Sequence, residues 1–204
     1  MSSGILVVIS GPSGVGKGTV VGEVLKLSSN IRLSVSATTR EQRPGEIGGK
    51  SYFFYTEDEF LRLANSGEML EYARYCGNFY GTPRRFVEKS LDENTDVLLE
   101  IEVEGARQVK ENLNDCVTIF LLPPSLEVLY NRLKGRGTET EDVLQNRIKR
   151  AREEILQARF YDYLIVNDNS EQCAKDVLGV ISAEKFKFCR MKNYLERNFF
   201  SGNR

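Results

Sequence analysis

Two kinds of apolar pattern alternate along this chain. The first is a set of short, continuous runs: Ile5-Leu6-Val7-Val8-Ile9, Asp96-Val97-Leu98-Leu99-Glu100-Ile101, Val117-Thr118-Ile119-Phe120-Leu121-Leu122 and Tyr163-Leu164-Ile165-Val166. Runs of this length, rich in β-branched residues, predict strands buried on both faces. The second kind recurs at helical spacing: Val20, Val21, Val24, Leu25 and Leu27; then Ala106, Val109 and Leu113; then Leu126, Leu129, Tyr130 and Leu133. Pro123-Pro124-Ser125 starts the last of these and Gly135 ends it. A polar break over 136–140 leads into a long basic helix to about Ala158, and Asn169 can cap the final one. Strands alternating with helices predict an α/β fold, a parallel sheet flanked by helices with right-handed crossovers.

The stretch from Ile31 to 92 breaks that rhythm. Ile31-Arg32-Leu33-Ser34-Val35-Ser36 alternates like a strand, a polar glycine-containing loop runs from Thr38 to Lys50, and Ser51 to Tyr55 reads as a short strand. Thr56 and Glu59 form a capping box opening a helix that stops at Gly67. Glu68–Ala73 and Asn78–Tyr80 look like short strands, and Thr82-Pro83 like an N-cap followed by proline in the first helical position. Residues 37–92 are therefore expected to form a small mixed α+β insertion. The core is then 1–36 together with 93–185. The tail, 186–204, mixes aromatic and basic residues without a clear period, and is expected to continue the last helix and fray.

Totals narrow the chemistry. A chain of 204 residues, 41% hydrophobic, builds one sizeable core, and a net charge of −1 gives no bulk basic field for nucleic acid. There is no histidine, and the four cysteines are far apart with no C-x-x-C pair, which argues against zinc and excludes an imidazole base. The first apolar run is five residues, too short for a signal peptide or a membrane span. Reduced thiols in a cytoplasmic protein without membrane attachment are the expectation.

The candidate chemistry begins at Gly11-Pro12-Ser13-Gly14-Val15-Gly16-Lys17-Gly18-Thr19, on a strand-to-helix turn. Glycines there let consecutive N–H groups converge on an anion at a positive helix N-terminus, and Lys17 reaches further phosphate oxygens. This predicts a nucleotide-phosphate loop. Two basic clusters accompany it. Arg40 and Arg43, with Tyr52, are suited to grip one phosphate, although such a loop is equally an ordinary solvated segment. Arg132, Arg136, Arg147 and Arg150 surround the Gly135/Gly137 break and suit a segment closing over a polyphosphate, or else a solvent-facing helix paired with Asp142, Glu153 and Glu154.

Those residues carry a resemblance. Thr38, Arg40, Arg43, Glu46, Gly49, Tyr52 and Phe54 match the guanylate kinase signature T-[ST]-R-x-x-[KR]-x-x-[DE]-x-x-G-x-x-Y-x-[FY] in full. Gly77-Asn78-Phe79-Tyr80-Gly81-Thr82 is similar to the family's G-N-x-Y-G segment, Leu133–Gly137 to its lid, and Val166-Asn167-Asp168 to a segment near its adenine site. The likeness covers Ile5 to about Lys185. It implies a P-loop NTPase-type sheet with a GMP-binding insertion and a helical lid at about 134–147. It also implies transfer of a phosphoryl group from ATP to GMP, with Mg²⁺ as cofactor. Arg40, Arg43, Tyr52 and Tyr80 would hold the GMP phosphate; Ser36, Glu71, Thr82 and Glu102 would surround guanine. The loop from Gly11 to Thr19, with Arg132, Asn167 and Asp168, would bind ATP. Lys17, Arg40, Arg136 and Arg147 would act on the transferring group. Relatives often have Ser or Thr directly after the loop lysine, where this chain has Gly18-Thr19, and often Asp where it has Glu100 and Glu102. Thr19 and Glu100 are thus the magnesium candidates, directly or through water. A homo-oligomer is compatible with this reading. Guanylate-kinase-like peptide-binding modules in membrane scaffolds are the alternative, but they typically have degraded phosphate loops; a kinase for another acceptor such as AMP is the other.

Overall fold

The computed structural model describes residues 4–113, 115–135 and 141–200. In chain order the elements are β1 (Leu6–Ser10), α1 (Lys17–Leu27), β2 (Ile31–Leu33), β3 (Ala37–Thr38), β4 (Phe53–Phe54), α2 (Glu57–Asn65), β5 (Met69–Tyr75), β6 (Asn78–Pro83), α3 (Arg84–Asp92), β7 (Asp96–Glu100), α4 (Val103–Asn112), β8 (Cys116–Leu122), α5 (Leu126–Lys134), α6 (Glu141–Leu156), β9 (Tyr163–Val166), α7 (Ser170–Glu184) and α8 (Phe188–Leu195). The main sheet runs β2-β7-β1-β8-β9, with every neighbouring pair parallel. All five β1 residues are buried because both faces of the sheet are covered. Val7 and Ile9 join the cluster formed with α1 and α7, while Leu6 and Val8 join the opposite one with Val87 and Ala106. That is the two-residue period of a strand expressed on two faces.

A second sheet, β4-β3-β6-β5, encloses Ala37, Phe60 and Met69. The alternating run 31–36 is not one strand. Its first half pairs with β7, and Ser34 N still donates to Leu98 O at 2.9 Å. Ser36 O already accepts from Phe53 N at 2.9 Å in the small sheet, so the chain passes between sheets within two residues. The Thr56/Glu59 capping box forms as expected, with both reciprocal bonds. The expected cap at Thr82 does not. Helix α3 starts at Arg84 with Pro83 as its cap, and the Thr82 hydroxyl instead donates to Glu71 Oε1 at 2.7 Å. α3 also buries Val87 beneath the main sheet, although the sequence pattern groups it with the insertion.

The tail differs from the expected continuation. α7 stops at Glu184, and the following residues, on into α8, tie to the N-terminal edge of the main sheet. Lys185 Nζ lies 2.6 Å from Asp96 Oδ2, Lys187 Nζ 2.5 Å from Glu184 Oε1, and Arg190 bonds both oxygens of Asp115 at 2.6 and 3.0 Å. Asp96 is 2% exposed and also accepts from Ile5 N at 2.9 Å. Asp96→Ala would leave that buried N–H unpaired and Lys185 without its partner, costing about 2 kcal/mol. In a chain of this size the expected drop in melting temperature is about 4–8 °C. An unchanged melting temperature would contradict the clamp.

Candidate active site

The C-terminal ends of β1 and β7 lie side by side, with Ile9 opposite Glu100. β1 is flanked by β7 on one side and β8 on the other, so the strand order reverses there, where α/β sheets place their ligand crevice. The loop after β1 turns into α1 through Gly16, at φ +98°, where a Cβ would stand 2.7 Å from Asn167 Nδ2. No side chain caps α1, which leaves the first-turn N–H groups aimed outward from its positive end. Lys17 Nζ donates to Gly11 O at 2.6 Å and lies 3.5 Å from Glu102 Oε1. Arg147 Nη2 donates to Ser13 Oγ at 3.3 Å, so α6 already touches the loop.

A cleft of about 690 Å³ opens between the two sheets. Its walls bring together Ser13, Lys17, Ser36, Tyr52, Glu71, Tyr80, Glu100, Glu102 and Arg147, which the sequence scattered over 135 positions. Thr82 stands behind Glu71 as its hydrogen-bond donor. Arg40 is organised by Glu46. Its Nη2 donates to Glu46 Oε1 at 2.7 Å, its guanidinium carbon lies 5.5 Å from the Tyr52 ring centre, and Glu46 Oε2 accepts from Arg43 N at 2.9 Å. That pairing holds the Glu46 carboxyl below its ordinary value and raises Arg40. The Arg43 side chain is exposed at the loop surface. Arg132, Asn167 and Asp168 lie behind the phosphate loop: Asn167 Nδ2 donates to Val15 O at 2.8 Å, and Arg132 to Val15 O at 3.3 Å and Asn167 O at 3.0 Å. Arg132 and Asn167 brace the loop's backbone, and Asp168 O accepts from Arg132 at 3.4 Å. Arg136 lies outside the described residues. A larger cavity, about 880 Å³ between α4 and α6, lacks the loop and Lys17.

The family model named "Guanylate kinase" matches residues 3–184. The chain belongs to the guanylate kinase family. It is 52% identical over 188 residues to the guanylate kinase of Lactococcus lactis subsp. lactis, covering 92% of each chain. To that of Streptococcus thermophilus it is 53% identical over 202 residues, covering 98% of this chain and 96% of the relative. The crystal structure of guanylate kinase from Anaplasma phagocytophilum superposes with a TM-score of 0.75 at 38% identity, over 98% of this chain and 97% of that one. No helix among the described residues is long and apolar enough to cross a membrane.

Two of the carboxylates lining the cleft, Glu71 and Glu100, are shifted by burial. Glu71 is 7% exposed, and burial pushes its carboxyl above the ordinary value against the opposing pull of Thr82. Burial also raises Glu100, with Lys17 opposing and Glu102 adding. A raised carboxyl stabilises the fold only while protonated, so Glu71 costs stability as pH rises from its unfolded value through its folded one. Accepting hydrogen bonds from a base has the opposite demand. Guanosine lacks the phosphate that titrates near pH 6. On the proposal, made below, that Glu71 accepts from guanine, guanosine affinity should fall on acidification starting above the ordinary glutamate range of about 4.3, and Glu71→Gln should remove that limb. A titration in which wild type and Glu71→Gln lose guanosine at the same pH would contradict it.

Among the described residues no three His, Cys, Asp or Glu converge as a metal cage. The donors present suit a magnesium ion that arrives with nucleotide and keeps several waters. A Cβ on Gly18 would stand at ordinary contact distance, 3.5 Å, from Glu100 Oε1, so that carboxylate lies beside the first turn of α1. Thr19 is exposed one residue further round α1. Glu46, in the sequence only a motif position, pairs with the Arg40 guanidinium and accepts from the backbone N–H of Arg43. Gly105 and Gln108 of α4, which lie against β5 at Glu71 and Tyr72, belong to none of the sequence motifs. A glycine inside a predicted helix was the available signal.

Proposed function

We propose that the cleft carries out the family's reaction, ATP + GMP giving ADP + GDP, with acceptor and donor at its two ends. At the acceptor end Arg40, Arg43, Tyr52 and Tyr80 hold the GMP phosphate, and Ser36, Glu71, Thr82 and Glu102 surround guanine. At the donor end the loop from Gly11 to Thr19 cradles the ATP phosphates, with Arg132, Asn167 and Asp168 supporting it. Lys17, Arg136 and Arg147 face the transferring group. One observation supports this most: Lys17 and the buried Glu71 line the same cleft, one on the phosphate loop and one on the small sheet.

A non-bridging oxygen of the GMP phosphate forms the new bond to the γ-phosphorus as the bond to the ADP oxygen breaks, and the electron pair leaves with ADP. The attacking oxygen is already largely ionised at neutral pH, since the second pKa of a phosphate is about 6. No general base is needed, in keeping with a chain without histidine. Bringing two anions into line is the main barrier, so catalysis reduces to positioning and charge neutralisation. Arg40, pre-set by Glu46, aims the acceptor; Lys17 turns from Gly11 O toward the donor. Mg²⁺, held by Glu100 and Thr19 directly or through water, supplies further neutralisation when bound. We assign residues 37–92 to the moving acceptor unit and 134–147 to the lid, whose closure excludes water. The reaction belongs to the cytoplasm, where both nucleotides are dissolved.

ADP release measured with GMP, dGMP, AMP, CMP and UMP tests the reading. GMP is expected to dominate, and equal turnover with AMP would sink the assignment of the acceptor pocket.

A further inference from the structure

α4 carries a glycine at its third residue, where glycine is the poorer choice. Gly105 is buried, and it is not among the positive-φ residues of the described chain. No unusual turn calls for it, and alanine is favoured over glycine inside a helix. What the position lacks is room. A Cβ there would stand 2.8 Å from Glu71 Oε2 and 3.3 Å from Glu71 Cδ.

Neither side of that contact is free to give. The Glu71 carboxylate is buried and receives the Thr82 hydroxyl at 2.7 Å. α4 is tied to β5 on either side of Glu71. The Gln108 side-chain amide donates to Tyr72 O and accepts from Tyr72 N, both at 3.1 Å, and Asn112 Nδ2 donates to Leu70 O at 2.9 Å. These bonds set the spacing between helix and strand at the carboxylate itself. An added methyl group therefore pushes the carboxylate off Thr82 and toward the cleft.

We propose that Gly105 is a specificity-determining position, its missing side chain forming the seat of the Glu71 carboxylate, with Gln108 and Asn112 holding α4 at the distance that makes the seat fit. Gly105 touches no substrate and acts through Glu71, so it is a positioning residue. The inference rests on the reading that Glu71 faces guanine.

The test is a cycle of Gly105→Ala, Glu71→Asp and the double variant in the full chain. It reads KM for GMP and for ATP, the GMP-over-AMP ratio of kcat/KM, and the melting temperature. Gly105→Ala is expected to raise KM for GMP at least about tenfold, of the order expected when a charged acceptor is misplaced. It should leave KM for ATP within about twofold and shrink the GMP-over-AMP ratio. Aspartate withdraws the carboxylate by one methylene, so in that background the added methyl meets no obstacle, and Gly105→Ala should cost less than about twofold. An equal cost in both backgrounds overturns the proposal, as does a Gly105→Ala enzyme whose GMP KM and selectivity stay within about twofold of wild type. Should Gly105→Ala fail to fold, the double variant decides: folding as stably as Glu71→Asp supports the seat, and failing to fold overturns it. Glu71→Gln separates the underlying reading, since it changes charge and not shape. If it keeps full GMP preference, the guanine assignment fails; if it loses preference while Gly105→Ala does not, only the seat fails.

Discussion

Replacing Lys17 with methionine is expected to cut kcat at least about 10²-fold while the protein stays folded, as for removal of a preorganised charge-stabilising donor. Methionine keeps most of the length and apolar body of a side chain that is 11% exposed, so packing around the loop survives. What goes is the ammonium group, which holds the loop closed through Gly11 O and faces Glu102 across the cleft. That charge is the one cation rooted in the loop's own helix start, where a phosphoryl group in transfer has most need of it. Stopped-flow or coupled ADP release gives the rate, and circular dichroism with a melting curve gives the fold. Near-normal turnover by a folded Lys17→Met protein would sink the assignment of this loop to the donor.

The second large effect is expected from Glu71→Gln combined with Glu102→Gln. Guanine presents two donors on its pairing edge, N1–H and the N2 amino group, whereas adenine presents an N1 acceptor. An ionised carboxylate only accepts. Adenine would set a lone pair against a charge and leave buried acceptors unpaired, which is how well-built sites reach about 10⁴–10⁵-fold selectivity. The double variant should raise KM for GMP far more than for ATP and narrow the GMP-over-AMP ratio by at least about 10²-fold. The two carboxylates do not contribute equally. Glu71 is buried against Thr82, while the Glu102 side chain is 59% exposed beside Lys17. An exposed ion pair is worth little, so most of the loss should come from Glu71→Gln alone. If the double variant kept its full preference for GMP, Ser36, Thr82 and the backbone would have to read the base.

What was legible in the sequence was whatever local pattern decides. The β1 run, the glycine loop and the Thr56/Glu59 box each depend on neighbours within a few residues, and each formed where the pattern put it. Thr82 shows where that legibility ends. Thr-Pro before a helix looks locally like a cap, but β5–β6 pairing sets Glu71 directly opposite Thr82, and a buried carboxylate claims the hydroxyl. The same limit hid Gly105, whose reason lies on a strand more than 30 residues away. Arg132, Asn167 and Asp168 appear in the sequence as nucleotide contacts by likeness alone; only the fold, which brings α5 and the residue after β9 to the loop, shows that Arg132 and Asn167 hold Val15 O. Around the start of the tail, the spacing of Lys185, Lys187 and Arg190 follows no helical period because their partners, Asp96, Glu184 and Asp115, lie outside the tail.

That tail clamp divides labour within the molecule. Every strand of the main sheet points the same way, so the ion-paired residues 185–190 and the cleft occupy opposite rims. The ion pairs of the clamp then lie at one rim and the proposed chemistry at the other. An engineer seeking a more durable protein should work at the clamp, where added rigidity is remote from the cleft.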